Sequence, residues 1–400
     1  MLGANIEYYD IALYGYMAPV LVPIFFPFLD ITTSYFAYFL FEFIAAIFQF
    51  LGAKLFGSFG DKQGRKSALF NSMLGISIAT FTICLLPTYQ QIGIISTVLF
   101  FILRILQRFF LGAEYNGGAI YCLEHENDTK QHGVVSSLYC AFTVLGIILA
   151  SIITFICNKM GSEYFRIAYG FSFLLTVLIL VLRKTIAETP VYLNIRKNVQ
   201  LTSDYKSQKP ILKIIVASLF FGLIYGIPTK VFNVLLPISL EISRNAIMLL
   251  NTLTLFLYGG LLIFAGIVSK KYSPQKLMLT VALIASILSY PLMLTLSTGS
   301  WYAIIFIKII LTILAAFFIA PFHAWTQALC IPNIRYRTIS ISYIFGKYVS
   351  TFVISFIFIA YEYIHEIKIL GILLSLFSII TARFIYEKHF DETTKALPCH

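Results

Sequence analysis

Gly57-Ser-Phe-Gly-Asp61-Lys62-Gln-Gly64-Arg65-Lys66 is a short, glycine-punctuated charged stretch between two long apolar runs, near 34–56 and 67–86. Each run is long enough to cross a hydrocarbon core of about 30 Å, which needs about 20 apolar residues per helix. The stretch therefore reads as a tight connection at a membrane surface. Its glycines permit a sharp turn, and Asp61 is placed to meet the N-terminus of another helix. Arg65 and Lys66 are placed to pair with acidic groups, or the stretch is simply a solvated basic turn that sets topology.

Working outward, further apolar runs fall near 11–29, 93–112, 134–156, 166–183, 211–240, 246–268, 277–296, 301–326, 337–360 and 366–386. The first has an alternative start nearer Gly3. The run at 211–240 exceeds one crossing and contains Pro228 and Pro237, so it is expected to kink or break. The composition agrees: 59% of residues are hydrophobic and 12% charged, about half the charged share of a soluble domain. Mean hydropathy is +0.86. A water-soluble particle could not be coated with so little polar surface.

Lys and Arg set the expected orientation. With the N-terminus in the cytoplasm, nineteen of the 29 fall on the inner side and four (Lys159, Arg166, Arg244, Lys368) on the other; six lie within or at the edges of runs. Both termini are expected inside, at the cell (inner) membrane. The net charge of +11 is explained by these clusters, and no basic face suits nucleic acid. The six cysteines are scattered without a CxxC, so neither a zinc site nor a disulfide framework is indicated. No cleavable leader is read at the N-terminus, which runs directly into the first span.

A polar stretch at 184–210 divides the chain into six runs and six runs. The expected units are an N-terminal bundle at 1–183, a cytoplasmic linker at 184–210, and a C-terminal bundle with a short tail at 211–400. The halves echo one another. Gly57 aligns with Gly266 and Lys62 with Lys271, while Glu188-Thr189 is repeated as Glu392-Thr393. The predicted fold is an all-α membrane protein of about 12 transmembrane helices in two pseudo-symmetric six-helix bundles, the parallel-repeat arrangement of one large transporter class.

The 57–66 stretch, at its place after the second span, resembles the signature loop of the major facilitator superfamily (MFS). Other residues resemble its metabolite:proton symporter branch, which includes proline/betaine carriers. They are Glu7-Tyr-Tyr-Asp10 with Tyr14-Gly15, Arg104-x-x-Gln107, Gly112-x-Glu114-Tyr115 with Glu124, Arg183 with Glu188-Thr189-Pro190, Arg335-Tyr336 with Tyr343, and the closing Asp391-Glu-Thr-x-Lys395. Departures are Gln49-Phe50 where the branch has Arg-Pro, Arg108 where it has Gly, Ala113 within its Gly-Gly-Glu, and no acidic residue near Pro332. The chain begins almost at span one, and no coiled coil follows Lys395.

The resemblance implies a proton-coupled symporter importing a small polar solute such as proline or glycine betaine. Alternatives are a dicarboxylate:proton symporter and a proton-antiporting exporter on the same fold. It also implies that 57–66 latches one conformation, through Gly57, Asp61, Gly64, Arg65 and Lys66. The partners are then the solute, the proton and the lipid bilayer, with the chain a monomer and no nucleic acid bound. No cofactor or metal is called for, and no enzyme motif (GxSxG, P-loop or HExxH) is present.

Ionisable groups inside a bilayer are costly and commonly work. Glu7 and Asp10, three apart, are helix neighbours. Their mutual repulsion would let one carry a proton, unless both lie hydrated at the interface. Arg104 needs a buried partner, with Glu7, Asp10 and Glu42 as candidates, and would poise the proton. Arg108 is placed to snorkel. Glu42, Lys230, Lys308 and Tyr14 are the candidate solute contacts, with Lys347 a third embedded cation of the second half. Tyr14, Tyr225, Tyr258 and Tyr343 either cage a quaternary ammonium or pack. His323 and Trp325 read as packing.

Overall fold

The computed structural model describes residues 1–112, 114–197, 209–240, 242–296, 298–364 and 368–386. The echo at Glu392-Thr393 and the closing Asp391–Lys395 pattern lie outside the described residues, as does the middle of the 184–210 linker.

The described chain is nearly all helix. In order the helices are α1 (Leu2–Tyr16), α2 (Ala18–Phe25), α3 (Ile31–Gln63), α4 (Arg65–Leu85), α5 (Tyr89–Ile92), α6 (Ile94–Leu111), α7 (Glu114–Glu124), α8 (His132–Met160), α9 (Phe165–Thr185), α10 (Pro190–Lys197), α11 (Lys209–Gly226), α12 (Phe232–Ser239), α13 (Arg244–Val268), α14 (Pro274–Leu296), α15 (Trp301–Ile319), α16 (Phe322–Leu329), α17 (Arg335–Ile364) and α18 (Lys368–Tyr386). Among the described residues, eleven stretches are long and apolar enough to cross a membrane. The broken pair α1–α2 supplies a twelfth.

Several crossings are interrupted where the sequence cannot keep a regular ladder. α1 gives way to α2 at Met17, with a proline in the first turn of α2. α11 passes into α12 through a π-helical turn, Ile227–Val231, that contains Pro228. Proline there removes a backbone donor and crowds the preceding turn. The expected kink thus falls at Pro228, while Pro237 sits inside α12. α15 and α16 part around Pro321. The first span begins at Leu2, at the alternative start near Gly3 rather than near residue 11, and Glu7 and Asp10 within it are both buried. Apolar side chains such as Ile31, Ile78, Leu174, Ile287 and Phe352 face outward, as a hydrocarbon surround requires.

Two seams join the first six crossings to the last six. In one, α3 packs on α17; in the other, α13 packs on α8. The glycines that aligned in the repeat each lie in a seam. A Cβ on Gly57 would lie 2.6 Å from Arg337 Cα, and one on Gly266 would run into Ser137 and Val134. α3 corresponds to α13 in the repeat, so the seams are related by the same pseudo-symmetry. The contacts concentrate toward the end that carries Asp61: Tyr348 donates to Gln49 Oε1, Phe50 meets Phe345, and Gly133 lies against Ser269. At that end the two halves are closed on each other.

Candidate functional site

At the closed end the 57–66 stretch is not a loop. α3 runs through Gln63 and α4 starts at Arg65, leaving Gly64 as the turn. Gly64 has φ +109°, and a side chain there would strike the Glu188 carboxylate, so glycine is required. Gly57 is helical, and its role is close approach to α17 rather than turning the chain. Asp61 Oδ1 accepts the Tyr336 N–H and Oδ2 the Arg337 N–H, each at 3.0 Å. Both donors belong to the first turn of α17, where free N–H groups and the helix dipole favour an anion.

Behind Asp61, Arg65 is fully buried and donates to both oxygens of Glu124 (3.1 and 3.3 Å) and to the Pro332 carbonyl (2.6 Å). Arg335 reaches Glu124 Oε1 from the other half at 3.0 Å, and Thr189 donates to Oε2 at 2.7 Å. Glu124 is thus held by groups of both halves. Glu188 accepts the N–H groups of Arg65 and Lys66 and so caps α4 from a distance in sequence. The Lys66 ammonium was expected to pair with an acid. It donates instead to the Lys184 carbonyl at 3.0 Å, because Glu188 is already engaged by backbone donors.

Deeper in the first half, a polar network links α1, α3, α4, α6 and α9. Ser172 donates to Asp10 Oδ1. Gln107 Nε2 donates to Asp10 Oδ2 at 3.1 Å and to Thr80 at 2.8 Å, while its carbonyl accepts from Arg104. Arg104 Nε reaches Glu42 Oε2 at 3.2 Å, and its guanidinium lies 4.0 Å from the centre of the Tyr14 ring. Among the three candidate partners, Glu42 is the one that pairs with Arg104. Arg108 does not snorkel: it is buried and paired with the other oxygen of Glu42. A carboxylate between two guanidiniums removes the cost of leaving either charge alone in a low-dielectric interior.

Glu7 departs from expectation in its neighbour. Asp10 turns to Ser172 and Gln107, and the carboxylate in electrostatic range of Glu7 is Glu114, not Asp10. The pairwise repulsion expected from their spacing is therefore not the controlling interaction. Three residues apart on a helix still leaves about 60° between directions, and here the two enter different surroundings. Glu7 is 3% exposed, its Oε2 has no hydrogen-bond partner, and Lys347, Arg108 and Arg183 surround it at longer range. Arg183 itself is bound to Glu114, which also accepts from Ser72 at 2.7 Å.

The remaining candidates separate. Tyr14 stacks on Tyr38 at 4.1 Å, gives its hydroxyl to the Tyr38 carbonyl, and supports Arg104. Lys308 is buried and donates to Asn233 Oδ1 at 3.1 Å. Lys230 is exposed yet in electrostatic range of Arg108 and Lys347, so it lines the space between the halves. Tyr225 and Tyr258 pack together. His323 is buried against Tyr115, Tyr139 and Tyr343. Sequence reasoning left Lys347 and the Glu114–Arg183 pair out of the site. An embedded lysine was visible, but its position opposite Glu7 was not. Among the described residues no cluster of His, Cys, Asp or Glu could hold a metal ion.

Twelve crossings, two symmetry-related seams and buried charge networks between and beneath them define a membrane transporter of the major facilitator type. Residues 1–213 match the family model described as Sugar (and other) transporter, and the chain belongs to that family. It is 32% identical over 197 residues to the proline/betaine transporter of Salmonella typhimurium, a match covering 48% of this chain and 39% of that protein. The chain thus spans about two fifths of the length of the first relatives it matches. A putative proline/betaine transporter of Staphylococcus aureus is 27% identical over 356 residues, covering 86% of this chain and 76% of that protein. Among solved structures, the MFS proton:xylose symporter XylE superposes with a TM-score of 0.76 at 15% identity, covering 96% of this chain and 93% of that one. The E. coli fucose:proton symporter FucP gives 0.68 at 13% identity, covering 97% and 98%. At such identities these structures speak to the fold alone.

Proposed function

We propose that the protein is a proton-coupled symporter that imports a small polar zwitterion of the proline or glycine betaine kind. The observation that carries this reading is the buried Asp10–Gln107–Arg104–Glu42 network beside Glu7, whose buried Oε2 has no hydrogen-bond partner. A group that alternates between protonated and ionised forms needs such surroundings. The names of the relatives supply the solute class. In this reading Glu7 and Asp10 handle the proton, Arg104 poises it, and Lys230 faces the solute. Lys308, already bonded to Asn233, is the weaker of the two lysine contacts. Glu42 and Tyr14 act through Arg104.

The Asp61 end lies at the cytoplasm, by the distribution of Lys and Arg, with both termini inside and the protein in the inner membrane. The closed seams then make this a state shut to the cytoplasm. The units 1–183 and 211–400, joined by 184–210, rock about the midplane as one monomer, and Gly57, Asp61, Gly64, Arg65 and Lys66 latch the inner end. The test is uptake of labelled betaine or proline into proteoliposomes under an inward proton gradient, with a proton ionophore as control. Ionophore-sensitive accumulation is expected, and is lost in at least one of Glu7→Gln, Asp10→Asn and Arg104→Gln. Retention in all three sinks the residue roles. Absence of inward accumulation, with proton-driven loss of preloaded solute under the same gradient, identifies an exporter. Transport of ketoglutarate or citrate in place of betaine selects the dicarboxylate reading, which the cations of the second half favour.

A further inference from the structure

Lys347 belongs to none of the networks described above. It projects from α17 in the second half, half-buried, with its ammonium 5.5 Å from the Tyr8 ring centre and 5.8 Å from that of Tyr343. Tyr8 is the residue after Glu7, so Lys347 reaches across to the first half at the level of the buried carboxylate. The Tyr8 and Tyr115 rings pack at 5.3 Å, and Tyr115 and Tyr343 at 5.2 Å, forming an aromatic wall with members from both halves. Glu7 Oε2 has no hydrogen-bond partner, and no ion pair joins it to Lys347 within 4 Å among the described residues. Glu7, with one buried oxygen unpaired, and the Lys347 ammonium share this wall without closing into an ion pair, an arrangement in which a second carboxylate can compete for the lysine.

The geometry points to Lys347 as the anchor of the solute carboxylate, with Glu7 as the internal carboxylate that competes for it. This rests on the symport reading above and names its binding contact. Ionised Glu7 neutralises Lys347 and weakens its hold on a second carboxylate. Protonated Glu7 leaves Lys347 free, so the solute's carboxylate and the proton load together. No covalent step is involved: one proton enters on Glu7, and one carboxylate takes its place opposite the ammonium. The tyrosine faces of the wall suit the cationic end of the same solute.

Other charges bear on the pair and act in known directions. Arg108 and Arg183 are held by Glu42 and Glu114. Glu114 adds negative potential at Glu7, and Arg108 and Lys230 add positive potential at Lys347. Tyr139 from α8 and Tyr343 from α17 also sense Glu7. A dicarboxylate would draw on Lys230 as well as Lys347, whereas a zwitterion needs one cation and the aromatic wall.

The test is equilibrium binding to the full chain in nanodiscs. The probes are glycine betaine, proline, ketoglutarate, acetate and choline, the last a quaternary ammonium without a carboxylate. For the wild type, carboxylate probes are expected to weaken about tenfold from about pH 5.5 to about pH 8.5, with choline bound far more weakly at either. Lys347→Gln is expected to lose carboxylate binding about tenfold or more while its melting temperature holds, and Lys347→Arg to retain it. Glu7→Gln is expected to bind at all pH values without the pH dependence. Unchanged binding in a folded Lys347→Gln, pH dependence that survives in Glu7→Gln, or no binding of any carboxylate by the wild type overturns the inference. Betaine transport that is indifferent to Lys347 leaves the symport reading standing and removes the anchor. Lys347-dependent binding of ketoglutarate or acetate without betaine keeps the anchor and removes the zwitterion.

Discussion

Replacing Asp61 by Asn should open the closed end. The Asp61 carboxylate accepts two 3.0 Å bonds from the first turn of α17 and lies 3.5 Å from Arg65. Asn keeps one acceptor oxygen and loses the charge. A charge at a partly buried helix terminus contributes up to about 2 kcal/mol, and one lost hydrogen bond adds about 1 kcal/mol. A loss of about 2–3 kcal/mol shifts the closed-to-open ratio by roughly 30- to 150-fold.

Cys330 supplies the assay, because it is buried in the cluster with Tyr336 and Phe56 beneath this contact. Burial pushes its thiol up to about 12, although nearby Arg335 acts in the opposite direction. An ordinary thiol titrates near 8.5, so the closed state holds far less reactive thiolate at neutral pH. Maleimide labelling of a chain that keeps only Cys330 therefore reports the open state. Asp61→Asn should raise the labelling rate by roughly 30-fold or more. An unchanged rate in a variant that melts with the wild type would refute the reasoning.

The same thiol gives a pH prediction. Its closed-state value of about 12 exceeds the solvated value, so the closed state holds more protons between the two. Its preference for closure is complete below about pH 8.5 and is lost as pH rises toward about 12. The distance between spin labels at Lys62 and Arg337, read by pulsed electron resonance, should lengthen above about pH 8.5 in the wild type and not in Cys330→Ser. Glu42→Gln strands Arg104 and Arg108 and should cost about 3–5 kcal/mol, seen as a lowered melting temperature that Arg108→Met partly restores. A Cβ at Gly112 would meet Ala53 N and Gln49 O, so Gly112→Ala must part α3 from α6 at about 1–3 kcal/mol, read by the same melting measurement. Gly57→Val acts on the seam against Arg337 instead, and should speed Cys330 labelling with a smaller change in melting.

The membrane class and the number of crossings were legible because hydrocarbon imposes a length and a composition on every span. Pro228 marked its own break, since proline acts on the turn in which it sits. The 57–66 pattern identified the family, and the family identifies the fold. Other features depend on residues that meet only in three dimensions. The sequence could offer three partners for Arg104, but packing chose Glu42 and brought Arg108 to the same carboxylate. Glu7 and Asp10 looked like a repelling pair at helical spacing, yet Asp10 turns to Ser172 and Gln107 on other helices and the carboxylate in electrostatic range of Glu7 is Glu114. Gly57 and Gly266 were aligned by the repeat, but that both are seam glycines follows from the docking of α3 on α17 and α13 on α8. Lys347 was one embedded lysine among three until tertiary structure set it opposite Glu7. Local physics, in the form of hydrophobic length, proline geometry and charge asymmetry, is written along the chain. Which charge neutralises which is decided by low-dielectric contacts between segments far apart in sequence, because only there does a missing partner cost enough to select one arrangement.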